Sequence, residues 1–378
     1  MDMLQERGTH HGRLIVQYRE AKGWSQARLA EAMHLSLSTI NRMEKRPVVK
    51  NIKRRELLVS LLGIPAAQLD LDAPPRSVKS PLKPNSDLMA LMEDMVSTKW
   101  QTYRMGGPLA AASGMEILLH QLTALTTETQ GSSWHERALA LLSSCHRLQG
   151  CIVGDSDYSK GVLSCKTAHS TAQEINDPAL MAGALITHGI MLGRQGKLFE
   201  ALTYAQGALM QIEKADLPSV RGDILTMQAE MFAKTNQTQE YLRSIGLAER
   251  TLEVKSDMPD RASYSLTPAS LLAAKGNGAL ILHDYDRAYR LFEKSLGLQT
   301  PIFTLSRAKL LAQKAEACYG LGWIDECAAY AEESLFIARS VGSQRITRRV
   351  QKLHTTLFIS RWKNEPCVAR LGALLATH

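Results

Sequence analysis

The amino-acid sequence predicts an all-α protein with a small helical unit at its start and a long array of helical hairpins behind it. Three observations carry this. Leu, Ala and Met recur at helical spacing, as in DLMALMEDMV (87–96) and GMEILLHQLTALT (114–126), whereas Val and Ile rarely alternate with polar residues as a strand requires. Small residues return at a long, regular period through the second half. Between the two parts lies APPRSVKSPLKPNS (73–86), with four prolines in fourteen residues, and such a stretch cannot continue a helix.

A chain of 378 residues allows two or three domains, and 45% hydrophobic with 22% charged residues is ordinary globular usage that can bury a core. The division expected is a flexible end at 1–11, a first domain at 12–72, a linker at 73–86 and a helical repeat domain at 87–378, with its clearest repeats in 135–340. The longest apolar runs are a few residues, such as 138–142, against the ~20 needed to cross a bilayer. MDMLQERGTHHG at the start has no apolar core of a secretory signal. Six cysteines, at 145, 151, 165, 318, 327 and 367, are too scattered for a disulfide framework. A soluble, reduced, cytoplasmic protein without membrane contact is expected.

The charge is concentrated. Residues 1–86 hold 15 Lys and Arg against 8 Asp and Glu, so the first quarter carries +7 of the formal +8. A compact basic segment on a near-neutral body is the footprint of a polyanion-binding module.

Within 12–65 the pattern predicts four or five short helices. Gly12–Lys22 places Leu14, Ile15 and Tyr18 on one face, and Gly23–Trp24 ends it. Ser25 is positioned to cap SQARLAEAMH and Ser36 to cap SLSTINRMEK, with Leu35 in the turn between them. Pro47 interrupts, and NIKRRELLVSLLGI (51–64) forms the next helix. The spacing of Ser25, Gln26, Leu29, Ala30, Leu35, Ser36, Ile40, Met43 and Glu44 resembles the Xre/lambda-repressor-like helix-turn-helix family. That resemblance implies a DNA-binding domain without catalytic chemistry, whose helix after Ser36 enters the major groove. It implies base reading by Leu37, Ser38 and Arg42, with Arg42 able to pair bidentately with guanine. It further implies phosphate contacts by Gln26 and Lys45, and a buried ion pair between Arg19 and Glu44. Arg46, where the family commonly has Gly, adds a possible phosphate contact. Lys50, Lys53, Arg54 and Arg55 extend the basic run; Arg54 and Arg55 are as readily solvated.

In the second part, anchors at 161, 201, 241, 288 and 327 are separated by 40, 40, 47 and 39 residues, and each is followed seven residues on by Ala or Ser. Seven residues are two helical turns, so each pair shares a face. Gly189–Ala208 and Gly276–Phe292 carry the pattern best. It resembles the tetratricopeptide (TPR) family, with a period nearer 40 than 34 and Tyr241 in place of a small anchor. The fold implied is a helix-turn-helix domain followed by a TPR-like α-solenoid. In such solenoids Arg194, Glu230, Asn277 and Lys309 fall on or near the helices that line the concave face, where they are ligand-binding candidates.

No phosphate-binding loop, nucleophile elbow or H-E-x-x-H motif is present, so no enzyme, cofactor or metal is expected. Asp155 and Asp157 read as turn residues rather than a metal pair. Cys145, Cys151, Cys165 and His169 miss zinc spacing. Eight Lys and Arg in 339–370 against one acid, Glu365, read as the polar outer face of a capping helix, or as a surface that meets acidic partners or DNA. The two parts together resemble the peptide-sensing, quorum-type regulators of Gram-positive and related bacteria. That resemblance implies a homodimer on a palindromic operator, with a short peptide in the array. A repeat adaptor that docks a protein and is tethered to DNA is the alternative.

Overall fold

The computed structural model describes residues 10–71, 85–254, 266–299 and 304–377, and every regular element among them is helical. The chain forms two compact units, divided between Lys83 and Pro84. Residues 1–9 and 73–84, the greater part of the expected flexible end and linker, lie outside the described residues. No helix among the described residues is long and apolar enough to cross a membrane.

Among its described residues the first unit has four helices, α1 (His11–Ala21), α2 (Gln26–Ala32), α3 (Leu37–Glu44) and α4 (Ile52–Leu62), and one 3-10 turn at Ala66–Leu69. Ser25 and Ser36 cap α2 and α3 through their hydroxyls, which accept from the backbone N–H of Arg28 and Thr39. Ile15, Leu29, Ile40, Leu58 and Leu69 are fully buried between the helices. One expectation is corrected here. His10 and His11 are not a loose tail. The His10 ring caps α1, and His11 is buried because its Nδ1 accepts from the Val49 N–H at 3.2 Å while Nε2 meets Asp70 at 3.1 Å.

The first helix of the second unit is capped two residues before the expected start at 87: Asn85 caps α5 (Ser86–Ala112) by accepting from the Leu88 N–H at 2.8 Å. α6 (Met115–Glu128) follows. Five antiparallel hairpins come next: α7 (His135–Val153) with α8 (Tyr158–Glu174), α9 (Pro178–Arg194) with α10 (Leu198–Gln211), α11 (Pro218–Lys234) with α12 (Thr238–Thr251), α13 (Pro268–Ile281) with α14 (Tyr285–Leu298), and α15 (Thr304–Leu321) with α16 (Ile324–Ser340). α17 (Gln344–Ile359) and α18 (Pro366–Ala376) complete it.

The sequence anchors sit on the second helix of each hairpin, and their partners Ala168, Ala208, Ala248, Ser295 and Ser334 are fully buried. Ser295 and Ser334 donate their hydroxyls to the Ala269 and Ala308 carbonyls of the preceding helix, each at 2.8 Å. Tyr241 fits the same position because the neighbouring α13 offers Gly278, where a Cβ would stand 2.2 Å from the Tyr241 ring.

The array also closes on itself. α5 is kinked at Gly107–Pro108, with Gly107 at φ 72°, a conformation that favours glycine. A Cβ there would lie 2.7 Å from Val341, in the turn before α17. The Leu109 N–H donates to the Val341 carbonyl at 3.3 Å. Between the α7–α8 turn and α17, buried Asp155 accepts from the Ser343 hydroxyl at 2.9 Å and the Arg345 N–H at 3.2 Å. Arg348 donates to the Ser156 carbonyl at 3.0 Å. The first and last thirds of the unit are thereby tied across about 190 residues of chain.

Candidate nucleic-acid interface and ligand groove

In the first unit, α3 is held from behind. Its Ile40 and Met43 are buried, and Glu44 at its end is the hub. Arg19 of α1 donates through Nε to Glu44 Oε1 at 2.6 Å, and through its other nitrogen to the Trp24 carbonyl at 2.8 Å. The Gln26 amide of α2 donates to Glu44 Oε2 at 2.5 Å. One carboxylate so joins three helices. Gln26, expected on phosphate, has its amide on Glu44 in the free protein. The opposite side of α3 is open: Leu37, Ser38 and Arg42 are exposed, and the Arg42 Nε rests on the Ser38 carbonyl at 3.3 Å.

Lys45, Arg46 and Lys50 are exposed along the segment that follows. No residue there needs a left-handed backbone, so the family's glycine is dispensable. The Gly12 N–H of α1 holds the Arg46 carbonyl at 3.1 Å instead. A Cβ at Gly12 would meet the Glu44 carbonyl at 2.2 Å, so α1 can approach this loop only through glycine. Arg55 is not merely solvated: it donates to the Leu69 carbonyl at 2.9 Å and anchors the 3-10 turn.

In the second unit, α9, α11, α13, α15 and α17 line a cavity of about 670 Å³. Arg194, Glu230, Asn277 and Lys309 all stand in its wall. So do Gln313 and Glu316 of α15, which extend the Lys309 face by one and two turns. Gln313 is 1% exposed; its amide nitrogen donates to Asn277 Oδ1 at 2.5 Å, and its Oε1 is buried without a partner.

The expected outer basic face is corrected. Arg345, Arg348, Arg349 and Lys352, half of the basic residues in 339–370, line the cavity. Their i, i+3, i+4, i+7 spacing was visible, but it cannot say which way a terminal helix faces.

Charge in this cavity is uneven. Seven Lys and Arg line it against three acids, Asp223, Glu230 and Glu316. Glu316 forms a bidentate pair with Arg349 at 2.7 and 2.6 Å, and Glu230 pairs with Lys234 at 2.6 Å. Burial alone would raise the Glu230 carboxyl; Lys234, Lys309 and Arg194 instead pull it to about 2. Burial pushes the half-buried Lys309 ammonium down to about 8, with Arg345, Arg194 and Arg349 adding to the effect and Glu230 opposing it.

Comparison with known proteins bears on both units. Residues 15–69 match the helix-turn-helix family. The N-terminal unit is a helix-turn-helix domain. No curated protein matches the chain. Among solved structures, a Rap protein complexed with competence and sporulation factor is 12% identical, covering 91% of this chain and 90% of its own at a TM-score of 0.51. The array has that fold. Bacillus thuringiensis PlcR in complex with the peptide PapR7 and DNA is 12% identical over 93% of this chain and 100% of its own, with a TM-score of 0.32. ComR from Streptococcus vestibularis in its apo form is 11% identical over 92% and 98%, with a TM-score of 0.33. In the helix-turn-helix domain α2 and α3 are the paired helices, and α3, with its exposed Leu37, Ser38 and Arg42, is the one presented outward.

Lys309 gives a stability test of the groove. Its folded-state value near 8 lies below the ordinary 10.5, so the unfolded chain holds that proton more tightly. Below pH 8 the ammonium is charged in both states and the folded state bears the whole cost. Between pH 8 and 10.5 the folded state sheds the proton first and the cost shrinks; above that range it is gone. Lys309→Met is therefore expected to stabilise the array by roughly 1–2 kcal/mol at neutral pH, after allowance for the solvent that reaches the side chain. The gain should fade above pH 8. Urea melts across this range test it, and a destabilised variant at pH 7 would refute the account.

Proposed function

We propose that this protein is a sequence-specific DNA-binding transcriptional regulator whose repeat array receives a peptide. The observation that carries this is one chain holding both a helix-turn-helix domain with an exposed α3 and a helical array whose inner helices wall a polar cavity. Solenoids use such concavities for extended partners. The Asn277–Gln313 amide pair suits a peptide backbone: the unpartnered Gln313 Oε1 is an acceptor for a backbone N–H. The Rap protein of like fold was solved with competence and sporulation factor, which supports the same role for this array.

In this reading Leu37, Ser38 and Arg42 read bases, and Lys45, Arg46 and Lys50 hold phosphates. Gln26 reaches phosphate if it turns from Glu44. A homodimer matches a palindromic operator, since one short helix contacts too few base pairs for tight specific binding. Peptide binding and operator binding are coupled through the array, and such coupling is reciprocal.

The DNA arm is tested by titration against an operator selected from random duplexes. Arg42→Ala should lose about 1–3 kcal/mol and relax preference at one base pair. Lys45→Ala should weaken all sequences alike and reduce the salt slope by about one. Unchanged discrimination in Arg42→Ala would remove α3 as the reading helix.

A further inference from the structure

The second unit as a whole is nearly neutral. Residues 87–378 hold 30 Lys and Arg against 29 Asp and Glu. An excess of four positive charges in the cavity wall is therefore segregation and not composition: the other residues of 87–378 hold 23 Lys and Arg against 26 Asp and Glu. Two of the three acids in the wall are held by wall cations, Glu316 by Arg349 and Glu230 by Lys234, with Lys309 and Arg194 also acting on Glu230.

Five cations of the wall remain outside those two pairs, and three of them, Arg194, Lys309 and Arg345, act on one another. Among the described residues neither Lys309 nor Arg194 has a carboxylate within ion-pair distance, and Arg345 pairs at 3.4 Å with Asp155, which lies outside the cavity lining. Each of the three depresses or is depressed by another: Arg194 and Arg345 both act on Lys309, and Arg194 acts on Arg345. Like charges gathered in a partly desolvated wall are unfavourable in the free protein. They become favourable once an anion is shared among them, because charge-assisted hydrogen bonds in such a site are stronger than those in water. One α-helical turn from Lys309, Gln313 presents its unpartnered buried Oε1, an acceptor that an anion cannot satisfy but a backbone N–H can.

We infer that the groove selects an acidic peptide, seating a carboxylate among Arg194, Lys309 and Arg345 while a backbone N–H of the same peptide meets Gln313. This rests on the peptide-receiving reading above and narrows it to a class of ligand. Either a Glu or Asp side chain or the terminal carboxylate supplies the same chemistry.

The test uses the full-length protein and short synthetic peptide libraries on one scaffold set. One library carries Glu with a free C-terminus, one carries Glu with an amidated C-terminus, one replaces Glu by Gln with an amidated C-terminus, and one replaces it by Lys, also amidated. Retention by the protein is read by mass spectrometry, and affinities of retained peptides by calorimetry at low and high salt. The Glu library with a free C-terminus should bind about tenfold or more tightly than the amidated Gln library, with the difference shrinking as salt rises, and the amidated Lys library should not be retained. The free and amidated Glu libraries separate the two sources of carboxylate. Lys309→Met should erase the preference for Glu over Gln while keeping the fold, and Lys309→Arg should restore it.

Equal retention of Glu and Gln libraries, or a preference for Lys, overturns the acidic-ligand inference and leaves peptide reception standing. Retention of no library at any salt overturns both.

Discussion

Glu44→Ala should cost the helix-turn-helix domain about 3–5 kcal/mol, the range for stranding one member of a buried ion pair. The Glu44 side chain is 6% exposed and that of Arg19 10%. The hydrogen bond between them holds the guanidinium above its ordinary value. Removing the carboxylate leaves Arg19 buried with only the Trp24 carbonyl and a long contact to the exposed Glu20 at 3.4 Å. It also frees the Gln26 amide. Because α1, α2 and α3 all meet at Glu44, the loss is not confined to one helix. Hydrogen exchange of the intact protein should lose protection in 11–21 and 37–44 while 135–340 stays as before, and operator binding should fall with it.

The double change Arg19→Met with Glu44→Leu separates charge from shape. With both charges gone and their volume kept, stability should return to within about 1–2 kcal/mol of the natural protein. A single variant that melts like the natural protein would mean the pair is decorative. A double variant as unstable as the single would place the loss in packing.

The helix-turn-helix domain was legible because its signals are local. Ser25 and Ser36 cap their own helices, and the positions of Leu29, Ile40 and Met43 follow from helical period alone. Arg19 and Glu44 were legible only through the family resemblance, since nothing local joins residues 25 apart. Gln26 illustrates a limit: a residue at the start of α2 can serve phosphate or Glu44, and sequence does not say which holds it in the free protein.

In the array, the buried Ala and Ser positions showed the hairpins because close helix approach selects small side chains at a fixed interval. The resemblance to TPR-like solenoids put Arg194, Glu230, Asn277 and Lys309 on or near the concave helices, and the four line one cavity. Helical period could not place α17, whose basic residues repeat identically whether they face inward or outward. Nor could it show Gln313, an ordinary amide until Asn277 takes its nitrogen and leaves its oxygen alone. The closure of the array was invisible for a different reason. It depends on Gly107, Asp155 and Ser343, which are far apart in sequence and carry no periodic signal.

Asp155→Ala should open that closure, with a local loss of about 3–5 kcal/mol from deleting a buried, hydrogen-bonded carboxylate. Asp155 is 2% exposed and serves three donors: the Ser343 hydroxyl, the Arg345 N–H and, at 3.4 Å, the Arg345 guanidinium. Ser343 is also the cap of α17, and its hydroxyl is oriented by Asp155 to accept from the Ile346 N–H at 3.4 Å. Without the carboxylate the first turn of α17 loses two partners and Arg345 loses its counter-charge beside Arg194 and Lys309. Exchange should rise in 341–349 and in 107–109, which touch Val341, while α9 to α12 keep their protection. Asp155→Asn, which retains an acceptor but not the charge, should fall between the two. The variant also reports on the ligand. An acid bound by Arg345 competes with Asp155, so removing Asp155 should tighten retention of Glu peptides relative to Gln peptides even as the array loosens. Because a ligand that draws Arg345 from Asp155 weakens the tie between the α7–α8 turn and α17, the same step offers a way for binding to change the shape of the array. Unchanged exchange at 341–349 in Asp155→Ala would show that the closure stands on the Gly107–Val341 contact alone, and the route from ligand to array shape through Arg345 would be lost with it.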